Sequence, residues 1–155
     1  ARLARVVVPG YPHHVTQKGL SAATDFLSDA DYELYIGLMA HWPAQWQVDV
    51  WAHCLMPNHV HLIAVPASEE GLCRALGEAH RRYTRHVNFR EGWRGHLWQG
   101  RFASFVMEES YLRGSVRHVE MNPVRARLVR EPWRHRWSSA KAHLSGEDDG
   151  WEGQA

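Results

Sequence analysis

The chain has 155 residues, of which 45% are hydrophobic and 23% charged, so it predicts one domain with a buried core and excludes a low-complexity chain. No apolar run approaches the length of a membrane span, and we expect no membrane partner. Neither of the two cysteines, Cys54 and Cys73, belongs to a Cys-x-x-Cys pair. We therefore expect two free, buried thiols, a cytoplasmic protein and no zinc cluster.

The net charge of +1 hides an uneven distribution along the chain. Residues 1–80 carry four basic and eight acidic side chains, whereas residues 81–136 carry 13 arginines and five glutamates. Residues 137–155 carry one lysine and four acids. An arginine-rich block with interleaved tryptophans is typical of a nucleic-acid surface. A solvated arginine-rich surface is the alternative.

The first half of the chain predicts a strand, a helix and a β-hairpin. The strand covers residues 12–19, and the helix runs from Ser28 to about residue 40, where Pro43 is expected to end it. A strand over 48–55 turns at Pro57-Asn58 into a strand over 59–65. In the first strand of this hairpin, the apolar residues Val48, Val50, Ala52 and Cys54 alternate, so we expect them to share one face.

The second half predicts mostly helices. We expect a helix over 68–88, a fourth strand over 103–106, a helix over 111–121, and short helices within 124–129 and 133–144. Residues 146–155 are acidic and glycine-rich, so we predict a disordered tail after a single domain over residues 1–145.

The order of these elements indicates an α+β, ferredoxin-like split βαβ fold. It has a four-stranded antiparallel sheet, helices on one face and further C-terminal helices. We expect the hairpin to supply the two central strands.

His59 and His61 are the first candidate site residues. They are two residues apart on a predicted strand, so their side chains project to the same face and could form half of a divalent-metal site. Two half-buried histidines with local hydrogen bonds are the alternative. His118 and Asn122 share a helix face, and the Asn122 side chain could add an amide oxygen. Asn122 could equally be a turn residue before Pro123.

Six stretches of the chain together resemble the REP-associated tyrosine transposases, which are relatives of the IS200-like transposases with a His-hydrophobic-His motif. They are PGYPHHVTQ at 9–17, CLMPNHVHL at 54–62, HRRYT at 80–84, GHLWQGRF at 95–102, VEMNPVRA at 119–126 and WSSA at 137–140. The stretches span nearly the whole chain in the order found in that family, which is far more specific than any single motif.

The resemblance implies a nuclease core that acts on single-stranded DNA near hairpins of short palindromic repeats. It implies that His59, His61 and Asn122 bind Mg²⁺ or Mn²⁺. It also implies a tyrosine nucleophile one helical turn before the asparagine. In the family this tyrosine attacks the scissile phosphate, forms a 5′-phosphotyrosine link and releases a 3′-hydroxyl.

The chain departs from the family pattern at that nucleophile. The pattern Arg-Tyr-Val-Glu-x-Asn-Pro appears here with His118 in place of the tyrosine. Tyr111, seven residues earlier, is a substitute only if the site is rearranged. The loop after Gln17 lacks the family's basic residues, and Arg127 stands where the family usually has glycine.

We therefore predict metal-assisted nicking and joining of hairpin DNA, with His118 at the nucleophile position. One alternative is a descendant that binds hairpin DNA without strand transfer, and a less favoured one is a metal-dependent hydrolase of a non-nucleic substrate. A monomer is favoured over a dimer. The residues expected to contact DNA are Arg81, Arg82, Arg85, Arg101, Arg125 and Trp98.

Overall fold

A computed structural model describes residues 6–20 and 25–146, and the predicted acidic tail lies outside them except for Gly146. The elements are β1 (His13–Lys18), α1 (Asp29–Gln45), β2 (Val48–Met56), β3 (His59–Pro66), α2 (Gly71–Glu91), β4 (Ala103–Val106), α3 (Leu112–Glu120), α4 (Asn122–Arg125) and α5 (Ala140–Ser145). Two 3-10 turns lie at Glu109–Tyr111 and Pro132–Arg134.

The four strands form one antiparallel sheet in the order β2-β3-β1-β4. This is the predicted ferredoxin-like arrangement. The expectation that the hairpin supplies both central strands is wrong, because β1 pairs with β3 on one side and with β4 on the other. The central strands are therefore β3 and β1, and β2 forms an edge.

Helices cover both faces of the sheet. The main core lies between one face and helices α1 and α2, and it includes Val15, Leu62, Tyr35 and Leu76. A smaller apolar cluster lies on the opposite face, where Val119 of α3 packs among side chains of β2 and β3. The sheet thus has a thick layer on one side and a thin one on the other.

The predicted alternation along β2 is wrong after its third residue. The pairing of β2 with β3 shifts register between Val50 and Ala52. Val48 and Val50 face the main core, whereas Ala52 and Cys54 face α3. An extra residue at such a bulge moves every later side chain to the other face.

Two helix boundaries also differ from the prediction. Helix α1 continues past Pro43, which is buried inside it, and ends at Gln45. The third helix is shorter than expected: α3 ends at Glu120, and α4 begins at Asn122. The backbone at Arg127 then adopts a φ of 59°, a conformation that favours glycine. This conformation accounts for the glycine that the resemblance implies there.

The outer edge of β2 is covered by the segment before α5. Leu55 N donates to Trp137 O at 2.8 Å, and Ser139 N donates to His53 O at 3.0 Å. A ring nitrogen of His135 lies 2.9 Å from Leu55 O. These contacts satisfy backbone groups that an open edge would expose.

The two cysteines lie in different environments. Cys54 is buried, and burial raises the pKa of its thiol to about 12. Cys73 is exposed on α2, so the expectation of two buried thiols is wrong for it. None of the helices in the described part of the chain is long and apolar enough to cross a membrane.

Asp25 is a buried carboxyl beside a glycine. Its side chain is 7% exposed, and its Oδ2 atom has no hydrogen-bond partner among the described residues. A Cβ atom on Gly19 would lie 1.9 Å from that oxygen, so this close approach requires glycine. Burial raises the pKa of Asp25 to about 7.

Asp25→Asn should stabilise the protein above pH 7. Because the pKa of Asp25 is higher in the folded than in the unfolded state, the carboxyl favours folding at low pH and disfavours it as the pH rises through 7. The neutral amide removes that penalty, and we expect a gain of about 2 kcal/mol at pH 8. Urea unfolding at pH 5 and pH 8 would measure it, and an equal effect at both pH values would contradict the assignment.

Candidate metal and DNA-binding site

His59 and His61 lie side by side at the start of β3. In the register of the hairpin they are opposite Met56 and Cys54, whose side chains belong to the cluster under α3. Both imidazoles therefore project to the α3 side of the sheet, as the two-residue spacing predicts. Their ring centroids are 4.9 Å apart, and the rings are nearly perpendicular at 81°.

Each imidazole is held through its Nδ1 atom. His59 Nδ1 lies 2.9 Å from Asn58 Oδ1, so the ring donates there and its Nε2 carries the lone pair. His61 Nδ1 lies 3.2 Å from Nε2 of His14, a residue of β1. When His61 is the donor in that pair, its Nε2 is also free to bind a cation. Such outer hydrogen bonds orient metal-binding histidines in proteins.

Both rings are neutral near pH 7. Burial lowers the pKa of His61 to about 3, with further lowering by the positive charges of nearby histidines and Arg125. Burial also lowers the pKa of His59, and the Lys18 ammonium adds to this effect. A metal binds the neutral form of imidazole, so the pair fits a divalent ion in its charge state and in the direction of its nitrogens.

The imidazole pair is incomplete as a metal site on its own. Within residues 6–20 and 25–146, no three His, Cys, Asp or Glu side chains are grouped so that they could hold a metal ion. An ion at this pair would therefore need other oxygen ligands, such as an amide, a phosphate or water.

His118 lies on the same side of the sheet as the pair. Helix α3 packs on β2 and β3 there, and the His118 ring is 6.1 Å from that of His14. Arg125 Nη2 donates to His118 O at 2.5 Å. Asn122 is the first residue of α4, one helical turn after His118. Tyr111 lies in the 3-10 turn before α3 with 66% of its surface exposed.

The predicted DNA-contacting arginines lie in two layers. Arg125 is on the imidazole side, whereas Arg81, Arg82 and Arg85 are on α2, which packs on the opposite face. Arg82 bonds to Glu78 and lies 4.6 Å from the centre of the Trp42 ring. The predicted basic surface therefore does not form one patch around the histidines.

Two cavities lie beside each other at this end of the sheet, and Leu20 lines both. The imidazole cavity, of about 540 Å³, contains His59, His61, Lys18 and Gln99 in its wall. The aromatic cavity, of about 680 Å³, lies under α2 and is lined by aromatic, polar and basic side chains. Among them are Gln17, His80, Trp98, Phe102, Arg81 and Arg101. Trp98 is only 8% exposed, so it lines a cavity wall and is not a surface side chain.

Sequence reasoning missed His14, Thr16 and Lys18 as site residues. They alternate on β1 and therefore share one face, and in the sheet Thr16 lies opposite His61 and Lys18 opposite His59. The alternation is visible in the sequence, but the choice of β3 as the partner strand is not.

Comparison with solved structures supports this fold. The structure of the REP-associated tyrosine transposase bound to a REP hairpin superposes with a TM-score of 0.81 at 17% identity, over 99% of this chain and 92% of that one. A candidate transposase from Deinococcus radiodurans R1 superposes with a TM-score of 0.51 at 20% identity, over 76% and 94%. These likenesses establish the fold. No curated protein matches the sequence significantly.

The sequence itself carries the family signal. A model of the family described as "Transposase IS200 like" matches residues 22–122, which is more than half of the chain and includes β2, β3, α2 and α3. The chain therefore belongs to the IS200-like transposase family.

Proposed function

We propose that this protein binds hairpin DNA and nicks and rejoins an adjoining single strand at the imidazole pair. The observation that carries the proposal is the pair itself. Two neutral imidazoles, each anchored through Nδ1, face an open cavity that also contains the cationic Lys18. A phosphate in that cavity would meet positive charge and a pre-oriented metal-binding pair. The likeness to a transposase solved with a REP hairpin adds support for the DNA partner.

His59, His61 and Asn122 would hold Mg²⁺ or Mn²⁺. A bound ion would polarise the phosphate and stabilise charge on the leaving oxygen. His59, and His61 when it donates to His14, would each offer Nε2 to the ion, and the amide of Asn122 would supply an oxygen.

His118 would attack the phosphorus through the ring nitrogen that carries the lone pair. A nitrogen–phosphorus bond forms, and the phosphorus stays attached to the 5′-oxygen of one strand end. The bond from phosphorus to the 3′-oxygen of the other end breaks, and that oxygen leaves as a hydroxyl after taking up a proton. The proton on the other ring nitrogen of His118 is released. The reverse attack by a 3′-hydroxyl rejoins a strand.

A second candidate function is hairpin binding without strand transfer. It is favoured by the replacement of the family's tyrosine with His118, because a phosphoramidate is a less durable link than a phosphotyrosine. Tyr111 would serve as a substitute nucleophile only after rearrangement, since it lies two turns before His118.

The side chains that would contact the DNA are Arg81, Arg82, Arg85, Arg101, Arg125 and Trp98. The charge-reversal pair Arg81→Glu and Arg101→Glu tests this, because both side chains border the aromatic cavity. At low salt we expect an affinity loss on the order of 10- to 100-fold for a hairpin with a single-stranded flank, and a salt slope smaller by about 2. Fluorescence anisotropy across a salt series would measure both.

The matched control is the pair Arg74→Glu and Arg134→Glu, which changes the net charge equally outside the proposed surface. Equal losses for the two pairs would show a non-specific charge effect and contradict the assignment. Binding that does not depend on salt in the unmodified protein would favour a hydrolase of a non-nucleic substrate.

A further inference from the structure

The aromatic cavity has a neutral, aromatic interior. His80 stacks on Trp98 with ring centroids 4.8 Å apart and an interplanar angle of 28°. A ring nitrogen of His80 lies 2.7 Å from Tyr35 Oη, and burial lowers the pKa of His80 to about 3. The ring is therefore uncharged near pH 7. Phe102 adds a further apolar wall.

Two buried polar side chains on the cavity wall can bond to a ligand. Gln17 is only 4% exposed, and its Nε2 donates to Lys18 O at 3.1 Å. Trp98 Nε1 is also buried, and it has no hydrogen-bond partner among the described residues. An amide carbonyl and an indole N–H can each bond to the edge of a planar ligand, and leaving the buried indole N–H unpaired carries an energetic cost.

The rim of the cavity is basic. Arg81 and Arg101 both line it, and Arg81 Nη2 lies 2.9 Å from Glu78 Oε2. A neutral aromatic interior with a cationic rim matches a nucleobase whose phosphates stay outside. A cavity of about 680 Å³ is in the size range of small-molecule sites, and a base that leaves its stack is bound through hydrogen bonds on its edge and stacking on aromatic side chains.

From these observations we infer that the aromatic cavity binds one unpaired base of the single strand that adjoins the hairpin, with Gln17 bonding to its edge. The inference rests on the proposed function. It adds a recognition site in the α2 layer, on the other side of Leu20 from the imidazole cavity. A strand crossing Leu20 would place a phosphate at one cavity and a base in the other.

Gly77 offers a direct way to fill the cavity. It lies in α2 on the cavity wall, and a Cβ atom there would meet nothing within 4 Å. Gly77→Leu should therefore occupy the opening without disturbing the fold. Gly37→Leu is the matched control, because Gly37 is also a helical glycine with open space and does not line the cavity.

Affinities would be measured for a blunt hairpin, for the hairpin with a short single-stranded flank, and for a series in which each flank base is replaced by an abasic site. We expect the unmodified protein to lose roughly tenfold in affinity at one flank position. Gly77→Leu and Gln17→Leu should lose a similar factor on the intact flank and become insensitive to that abasic site. All proteins should bind the blunt hairpin equally.

Two further outcomes separate the failures. Both cavity variants could bind the blunt hairpin and also match the unmodified protein in affinity for the flanked hairpin and in sensitivity to the abasic site. That result would overturn the base pocket alone. Failure of the unmodified protein to bind any hairpin would overturn the proposed function, and the base pocket with it. Thermal unfolding of each variant would show whether an affinity loss reflects loss of fold, and Gly77→Leu decides the result if Gln17→Leu is unstable.

Cys73 provides an independent readout of occupancy. It lines the same cavity and is exposed, whereas Cys54 is buried with a raised thiol pKa. The flanked hairpin should slow alkylation of Cys73 severalfold, and the blunt hairpin should not. Equal protection by both DNAs would place the strand elsewhere and contradict the inference.

Discussion

His118→Tyr is expected to convert the protein into one that forms a stable covalent adduct with hairpin DNA. The helix that carries residue 118 already lies on the imidazole side of the sheet, with the His118 ring 6.1 Å from the His14 ring. A phenol oxygen there would give a phosphotyrosine, which survives denaturation. Because loss of a nucleophile typically costs a covalent enzyme several orders of magnitude, we expect a comparably large gain, on the order of 10⁴ in the rate of adduct formation.

Single-stranded hairpin DNA with Mn²⁺, analysed in a denaturing gel, would detect the adduct. His118→Phe is the matched control, since it supplies a similar ring without a nucleophile. His118→Tyr combined with His59→Ala should form no adduct. Intact hairpin binding with no adduct from His118→Tyr would contradict the proposed geometry. A stable adduct in the unmodified protein that is lost in Tyr111→Phe would identify Tyr111 as the nucleophile.

The protein is expected to lose several kcal/mol of folding free energy between pH 7 and pH 4. Burial lowers the pKa of both His53 and His80 to about 3, and nearby His143 and His135 add to the effect at His53. Their folded pKa values lie below the unfolded value of 6.5. Their stabilising effect is therefore complete above pH 6.5 and is lost as the pH falls towards 3.

Each buried histidine would contribute a slope of about 1.4 kcal/mol per pH unit in that range. Asp25 acts in the opposite direction and offsets part of it, because its raised pKa favours folding at low pH. Urea unfolding from pH 7 to pH 4 would show His80→Gln with a shallower slope than the unmodified protein. His41→Gln, at an exposed position, is the matched control.

The order of the elements and the shared face of His59 and His61 were predictable from the sequence for local reasons. Proline and glycine mark the ends of the strands, and the spacing of hydrophobic residues distinguishes strand from helix. His59 and His61 share a face because side chains two apart on a strand always do. These features depend on the residues themselves and their immediate neighbours.

The errors arose where distant contacts decide the structure. The bulge between Val50 and Ala52 leaves no signal in composition, yet it reverses the facing of Ala52 and Cys54. The central position of β1 depends on pairing across more than 40 residues, so His14 could not be placed beside His61. Packing likewise keeps Pro43 inside a helix despite its missing donor.

The segment that covers β2 has a consequence for how the protein can be divided. The family match ends at Asn122 and begins after β1, yet β1 lies between β3 and β4, and residues 135–139 pair along the free side of β2. A fragment trimmed to residues 22–122 would lose the strand that joins β4 to the rest of the sheet and would bare both sides of the remaining hairpin. The segment matched by the family model is thus shorter than the segment that builds the sheet, and fragments made for experiments should keep the residues on both sides of it.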